Sequence, residues 1–400
     1  MTTSRALPLL VLGAGADAGS ERGVQCPGTL PPASDPGLVQ RARAAKQALG
    51  DRVFVLGHHY QRDEVIQFAD VTGDSFKLAR AAAARQEAEF IVFCGVHFMA
   101  ESADILTGDH QQVVLPDLAA GCSMADMATY DQVEECWEVL EDAGVAENVI
   151  PVTYMNSSAD IKAFVGSRGG TVCTSSNARR AVEWALRGGG AAAGRDSASP
   201  AGPAGPRKVL FLPDQHLGRN TAVLEMGMDP ADCVLYDPHR PDGGIDPERL
   251  RGATMILWRG HCSVHGRFTR ECVEQVRARI PGVNVIVHPE CRHEVVTSAD
   301  VIGSTERIIA TIEQAPAGSA WAVGTELNLV QRLAATNPDK TVVFLDRTVC
   351  YCATMNRIDL PHLVWALESL ASGQVVNRIQ VEAQTARHAR AALDQMLALP

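Results

Sequence analysis

The chain repeats one pattern three times, and this repeat constrains its fold more than any other feature. Three apolar, strand-like runs each end in two polar residues separated by one position. These runs are VFVLGHHY with His58 and Tyr60, VIPVTYMN with Tyr154 and Asn156, and VNVIVHPE with His288 and Glu290. Residues two apart on an extended segment point to the same side. Each run is therefore expected to present two functional groups together.

Each copy continues with two further landmarks. A helix start with small hydroxyl residues follows 14 to 19 residues later, at Ser75, at Ser175, and at Ser304 with Thr305. Small hydroxyls are ordinary helix N-caps, but helix starts also bind anions because unpaired N–H groups converge there. Each copy then closes with a strand that runs into a cysteine, and these cysteines are Cys122, Cys262 and Cys352.

The distance from hydroxyl to cysteine shows that the copies are nearly equal in length. It is 47 residues from Ser75 to Cys122, 87 from Ser175 to Cys262, and 48 from Ser304 to Cys352. A Gly-, Ala- and Pro-rich stretch, Gly188–Arg207, accounts for half of the excess of 40 in the middle copy. Its composition cannot pack a core, so it is predicted to be an inserted linker.

The alternation of strand-like and helical segments predicts an α/β fold with parallel sheets. We expect a flexible N-terminal extension over residues 1–36, and three repeat units over 37–130, 131–265 (with the 188–207 insertion) and 266–354. Residues 355–400 are predicted to form a C-terminal helical segment. If the units pack around a pseudo-threefold axis, the cysteines and polar pairs meet at the centre, because ligands bind at the carboxyl ends of parallel strands.

Composition favours small-molecule chemistry. With 36 Lys and Arg against 47 Asp and Glu, the formal charge of −11 disfavours nucleic acid and anionic membranes as partners. No apolar run approaches the roughly 18 residues that a membrane helix needs, and the N-terminus resembles a signal peptide only weakly. Eleven cysteines, an odd number, favour reduced thiols in a cytoplasm over a disulfide framework.

Three cysteines at equivalent repeat positions predict a metal centre. Three thiolates suit either a zinc ion or an iron–sulfur cluster. A structural zinc normally takes a fourth protein ligand, and none repeats with the cysteines. A cubane cluster on three cysteines leaves its fourth iron open to a substrate, which makes it a Lewis acid.

Many motifs in the same order make the sequence resemble the quinolinate synthases, the iron–sulfur enzymes of NAD biosynthesis. The resemblance covers roughly Val53 to Leu367. It is carried by GHHYQ, GDS, FCGVHFMAESA, LPDLAAGCSMAD, TYMNSSADIKA, CTSSNA, FLPDQHLGRN, WRGHCSVH, HPECRHEV, GSTERII, GTELNLV and CYCATMNRIDLPHLVWALE. It implies three homologous αβα units, and condensation of iminoaspartate with dihydroxyacetone phosphate to quinolinate, releasing phosphate and two waters.

The resemblance also implies a [4Fe–4S] cluster on Cys122, Cys262 and Cys352. Cys350 competes with Cys352, since it lies two residues away on the same side of an extended strand. We favour Cys352, because the family's ligand stands three residues before the methionine found here as Met355. The remaining cysteines are predicted to be spectators, with Cys291 as a buried thiol near the site.

Substrate contacts carry over from the family residue by residue. They are His58 and Ser75 in the first unit, Tyr154, Met155, Asn156 and Ser175 in the second, and His288, Pro289, Glu290, Ser304 and Thr305 in the third. Tyr60 and Glu290 are the predicted proton-transfer residues: burial is expected to raise the pKa of Glu290 towards neutrality, whereas Tyr60 is the more natural proton donor. His59 is predicted to be structural. For His97, Glu101 and Asp104, the sequence leaves three roles open: lining the site, helix capping and surface charge.

Two other functions stay open on the sequence. One is another iron–sulfur hydro-lyase that acts on a hydroxy acid, which would need no second substrate. The other is a non-enzymatic metal or cluster sensor, for which the expected basic recognition element is missing. An aspartate-oxidising enzyme is a possible partner that supplies the unstable imine.

Overall fold

The computed structural model describes residues 29–189, 206–347 and 351–399. Residues 1–28 of the predicted extension, most of the predicted insertion (190–205) and Cys350 lie outside the described residues. The strands are β1 (Val53–His58), β2 (Val71–Gly73), β3 (Phe90–Cys94), β4 (Gln112–Val114), β5 (Val149–Tyr154), β6 (Thr171–Cys173), β7 (Lys208–Leu212), β8 (Cys233–Tyr236), β9 (Met255–Trp258), β10 (Asn284–Val287), β11 (Val301–Ile302), β12 (Ala320–Gly324), β13 (Thr341–Phe344) and β14 (Arg378–Ile379).

Helices flank these strands and connect them. They are α1 (Leu38–Leu49), α2 (Asp63–Ile66), α3 (Ser75–Ala84), α4 (His97–Leu106), α5 (Tyr130–Asp142), α6 (Ala159–Ser167), α7 (Ala178–Leu186), α8 (Gln215–Asn220), α9 (Pro247–Gly252), α10 (Arg270–Arg279), α11 (His293–Val296), α12 (Thr305–Gln314), α13 (Leu327–Thr336), α14 (Leu360–Ala371) and α15 (Ala383–Ala398). Among the helices of the described part of the chain, none is long and apolar enough to cross a membrane.

The three sheets share one strand order, which confirms the predicted α/β fold with three parallel-sheet units. Four parallel strands run in the order β2-β1-β3-β4, β6-β5-β7-β9 and β11-β10-β12-β13. Central strands such as β1, β3, β5 and β7 are buried along their whole length. Continuous apolar sequence is expected where helices cover both faces of a parallel sheet.

Two edge strands break the symmetry of the units. β8 adds a fifth parallel strand beside β9 in the second sheet, and it comes between β7 and β9 in the chain. Together with the π-helical turn Thr221–Glu225, it explains the rest of the extra length of the middle copy. β14 pairs antiparallel with β4, so the first sheet is not purely parallel.

The C-terminal segment packs on two units. Helix α14 lies against α1, while α15 packs along α6 and β6 of the second unit. The contact between α6 and α15 needs a glycine, since a Cβ atom on Gly166 would lie 2.0 Å from the His388 carbonyl oxygen. Residues 355–399 therefore contribute a strand to the first sheet and cover α6 and β6 of the second unit.

Candidate active site

A cavity lies where the carboxyl ends of the strands of all three sheets meet. Most of the predicted site residues line it: His58, Tyr60, Ser75, Cys122, Tyr154, Asn156, Ser175, Cys262, His288, Glu290, Thr305 and Cys352. Three predicted residues are not among its lining. Met155 is buried, with its sulfur 3.5 Å from the Ser102 hydroxyl, the Pro289 carbonyl accepts a hydrogen bond from Asn220, and Ser304 caps α12.

The three cysteines stand at the start of the same local turn. A short 3₁₀ helix begins three residues after each of them, at Ala125–Met127, His265–Arg267 and Met355–Arg357. Each cysteine carbonyl accepts the N–H of the residue four positions later, over 3.2 Å from Asp126, 2.9 Å from Gly266 and 3.0 Å from Asn356. The third cysteine turn starts at Cys352, which supports Cys352 over Cys350 as the equivalent residue.

The surroundings of these thiols fit a cationic metal centre. A backbone N–H three residues on, from Ala125, His265 or Met355, faces each sulfur and favours its thiolate form. Without a metal, burial raises the pKa of all three thiols, and the pKa of Cys262 is raised further by Glu290 and by the other two thiols. Buried thiols that converge and disfavour each other's ionisation are stabilised as thiolates by bound metal.

The polar pairs meet in the cavity, but not on extended strands as expected. β1 ends at His58, β5 ends at Tyr154, and β10 ends one residue before His288. In two units the histidine side chain folds the chain into a turn, because its Nδ1 accepts the N–H of the second member of the pair. These bonds join His58 to Tyr60 over 3.2 Å and His288 to Glu290 over 3.4 Å.

Glu290 is the buried centre of a hydrogen-bond network. The Tyr154 hydroxyl donates to its Oε1 over 2.5 Å, and His265 Nδ1 lies 2.9 Å from its Oε2. Burial alone would raise the pKa of this carboxyl, but the neighbouring His265 and His288 and the Tyr154 hydroxyl outweigh burial and hold the pKa below its usual range. The expectation of a pKa near neutrality is wrong, because it ignored these partners.

His265 and Thr325 are site residues that the sequence analysis missed. The Tyr60 hydroxyl lies 3.0 Å from the Thr305 hydroxyl and 2.8 Å from that of Thr325, and Thr325 lies 3.1 Å from His265 Nε2. Tyr60 is thereby linked through Thr325 and His265 to Glu290. The missed signal was spacing, since His265 follows Cys262 by three residues, as Met355 follows Cys352.

Two buried carboxylates were also missed. Glu326 lines the cavity, caps α13 through Asn328, and accepts the Cys352 N–H over 3.3 Å. Burial raises its pKa to about 7. Asp214 caps α8 in the corresponding place of the second unit and accepts the Cys262 N–H, while burial raises its pKa well above the usual value. Both acids therefore help to fix the backbone of a cavity cysteine.

The helix-start hydroxyls differ among the units. Ser75 and Thr305 are the first residues of α3 and α12, and their N-caps are Asp74 and Ser304. Ser175 lies in the loop three residues before α7 begins at Ala178. Only two of the three hydroxyl positions therefore stand at the N-terminal turn of a helix.

The residues with structural or undecided roles all lie outside the cavity lining. His59 Nε2 lies 3.0 Å from a carboxylate oxygen of Glu306, so it joins the first unit to the third. Glu101 accepts the N–H of Ala159, Asp104 accepts that of Val381, and His97 lies 3.6 Å from Glu101. Cys291 is fully buried, as predicted.

The cavity offers a second set of metal ligands besides the three cysteines. One ligand atom each from Cys262, His265 and Glu290 lies within 4.8 Å of the others, which could hold a single ion. That arrangement would compete with a cluster for Cys262.

Among the described lining residues there is no lysine or arginine, whereas Asp74, Glu290 and Glu326 bring carboxyl groups to the wall.

Comparisons with known proteins show which family this chain resembles. The family model described as NadA, quinolinate synthetase A protein, matches residues 40–398, beyond the Val53–Leu367 range of the motifs. A protein named quinolinate synthase from Nocardioides sp. is 70% identical over 394 residues, which cover 98% of this chain and 97% of the relative. Proteins of the same name from Streptomyces coelicolor and Corynebacterium glutamicum are 69% and 54% identical, over 98% and 92% of this chain and 96% and 89% of theirs.

Proposed function

The chain belongs to the quinolinate synthase family, enzymes of NAD biosynthesis, and from this we propose the reaction of its central cavity. Iminoaspartate and dihydroxyacetone phosphate condense there to quinolinate, with release of phosphate and two waters. The observation that carries this proposal is the convergence of three equivalent cysteine turns with His58, Glu290 and the hydroxyl groups in one cavity.

The proposed cofactor is a [4Fe–4S] cluster held by Cys122, Cys262 and Cys352. When bound, such a cluster supplies a Lewis acid through the iron that no cysteine holds. The N–H groups that face the three sulfurs would support its thiolate ligands. The single-ion arrangement of Cys262, His265 and Glu290 uses only one of the three equivalent turns, so the repeat favours the cluster.

Neutral donors are proposed to bind the anionic substrates. Burial lowers the pKa values of His58 and His288 to about 3, so both imidazoles are uncharged at neutral pH. Ser75 and Thr305 add hydroxyls at helix starts, where unpaired N–H groups favour carboxylate and phosphate. The residues that bind the substrates therefore offer hydrogen bonds and helix dipoles in place of lysine or arginine.

Two groups are proposed to move protons. Glu290 is held as a carboxylate by its hydrogen bonds with His265 and Tyr154, so it can accept a proton beside a carbonyl carbon. Burial raises the pKa of Tyr60 above its usual value, and the charge of Glu290 raises it further. Tyr60 therefore stays protonated and can donate a hydrogen bond or a proton to a departing hydroxyl.

We further propose a cytoplasmic location and an external source of the imine. The nine cysteines of the described residues are all free thiols, which suits a reducing compartment. Because iminoaspartate is unstable in water, an aspartate-oxidising enzyme is the proposed supplier.

The test is an anaerobic assay of the cluster-reconstituted protein. Quinolinate should form only when iminoaspartate and dihydroxyacetone phosphate are both present. Turnover of a hydroxy acid without dihydroxyacetone phosphate would instead support the hydro-lyase alternative. Absence of product with both substrates, in protein that holds a full cluster, would contradict the proposal.

A further inference from the structure

Lys162 is a buried cation that the proposed reaction does not use. It lies on α6 with no exposed surface, and its ammonium donates one hydrogen bond to the Ser157 carbonyl. The same ammonium stands 5.3 Å from the centre of the Phe98 ring. Phe98 lines the cavity, so Lys162 lies directly behind the cavity wall.

This ammonium has no ion-pair partner among the described residues. The acid that acts on it most strongly is Glu101, whose carboxylate already accepts the Ala159 N–H over 3.0 Å and lies 3.6 Å from His97. A buried charge without a close counter-ion costs several kcal/mol. Among the described residues, no carboxylate therefore forms a close ion pair that would offset the cost of burying this lysine.

The cavity can supply that negative charge once it is loaded. Its described lining holds three cysteines and three acidic residues but no lysine or arginine. A [4Fe–4S] core with three thiolate ligands is net negative. Cys122 is close enough to act electrostatically on Lys162, so the thiolate that it becomes on binding metal would attract this ammonium. Within the described part of the chain, Lys162 is the one cation that lies over the Phe98 ring.

We propose that Lys162 is a positioning residue that supplies the counter-charge of the cluster and holds the Ser157 carbonyl beside the substrate-facing Tyr154 and Asn156. This inference rests on the cluster of the proposed function. A positive charge near a cluster stabilises its reduced, more negative form. Loss of the lysine should therefore make the cluster harder to reduce.

The experiment compares two substitutions at this position with one matched control. Lys162→Gln removes the charge but keeps an N–H for the Ser157 carbonyl, whereas Lys162→Met removes both. Lys208 is the control, because it is also buried and bonds backbone carbonyls (of Arg251 and Ala253), but it stands at the opposite, N-terminal end of β7. Reduction potentials come from anaerobic titration followed by EPR, and melting temperatures from the apo proteins.

We expect both Lys162 variants to shift the potential to more negative values, or to fail to retain a cluster, while their apo melting temperatures stay equal or rise. Lys162→Met should also raise KM more than Lys162→Gln does. Lys208→Met should lower the melting temperature and leave the potential unchanged. An unshifted potential, or apo variants at Lys162 that lose as much stability as Lys208→Met, would overturn the inference. Absence of iron and sulfide from the unsubstituted protein would instead overturn the proposed function.

Discussion

The three cysteine turns and the three polar pairs come from the same repeat, but they have diverged to different degrees. Each cysteine turn has the same backbone bond and the same 3₁₀ start three residues on. The polar pairs are histidine with tyrosine, tyrosine with asparagine, and histidine with glutamate. The proposed cluster needs three like ligands, whereas the two proposed substrates differ from each other and need unlike side chains around them. The repeat is thus kept where the proposed ligand is symmetric and has diverged where the proposed ligands are not.

The largest expected effect tests the equivalence of the cysteine turns. Alanine at Cys122, Cys262 or Cys352 should in each case abolish cluster retention and quinolinate formation, because each turn supplies one ligand. Iron and sulfide analysis under anaerobic conditions measures the loss. Cys94→Ala is the control, since Cys94 is buried in β3, and it should keep the cluster. Retention by Cys352→Ala together with loss in Cys350→Ala would move the third ligand to Cys350.

A substitution at Glu290 tests the divergence of the pairs. Glu290→Gln keeps the hydrogen-bonding outline but removes the proton acceptor, so kcat should fall about 10² to 10⁴-fold while cluster content stays unchanged. Since partners hold the pKa of Glu290 below its usual range, the carboxylate is ionised throughout the neutral region. The factor by which Glu290→Gln lowers kcat should therefore be the same at every pH from about 5 to 9.

Glu306→Gln is the matched control for Glu290→Gln, because Glu306 pairs with His59 outside the cavity lining. The kcat of Glu306→Gln should stay within a few-fold of that of the unsubstituted enzyme. If Glu290→Gln retains more than about a tenth of kcat, the proton-transfer role passes to Tyr60 or to a cluster-bound water.

A smaller effect is expected at the polar pair of the first unit, His58 and Tyr60. Tyr60→Phe removes a hydroxyl that bonds Thr305 and Thr325, and a lost buried hydrogen bond costs about 1–3 kcal/mol. The kcat/KM of Tyr60→Phe should therefore drop roughly 5- to 150-fold. A rate equal to that of the unsubstituted enzyme would show that Tyr60 only fills space, and a loss as large as that of Glu290→Gln would make it an equal partner.

The smallest effect concerns the segment that only the middle unit carries. Replacement of Gly188–Arg207 by a short Gly/Ser linker should leave activity and cluster content nearly unchanged, since its composition buries little apolar surface. Steady-state rates and iron content check this. Loss of both would mean that the segment takes part in the fold or in access to the site.

The sequence was sufficient for the features that repeat. The parallel sheets and the meeting of the three cysteines in one cavity follow from patterns that occur three times, so each copy supports the others. The features that occur once were missed. β8 and β14 have no counterpart in the other units, and their short runs give weak strand signals.

The electrostatics of the site were not predictable from neighbouring residues in the chain. The pKa of Glu290 depends on Tyr154 and His265, which are 136 and 25 residues away. Likewise, Lys162 reads as an ordinary helix residue until its burial behind Phe98 is seen. Long-range contacts decide which charged form a buried group takes, and a local pattern does not contain them.

The most direct test of the central claim is the iron and acid-labile sulfide content of the anaerobically purified or reconstituted protein. One cluster on three equivalent cysteine turns predicts about four iron atoms and about four sulfides per chain. A single metal atom per chain without sulfide, retained in Cys122→Ala and Cys352→Ala but lost in Cys262→Ala, would contradict it and support the site of Cys262, His265 and Glu290.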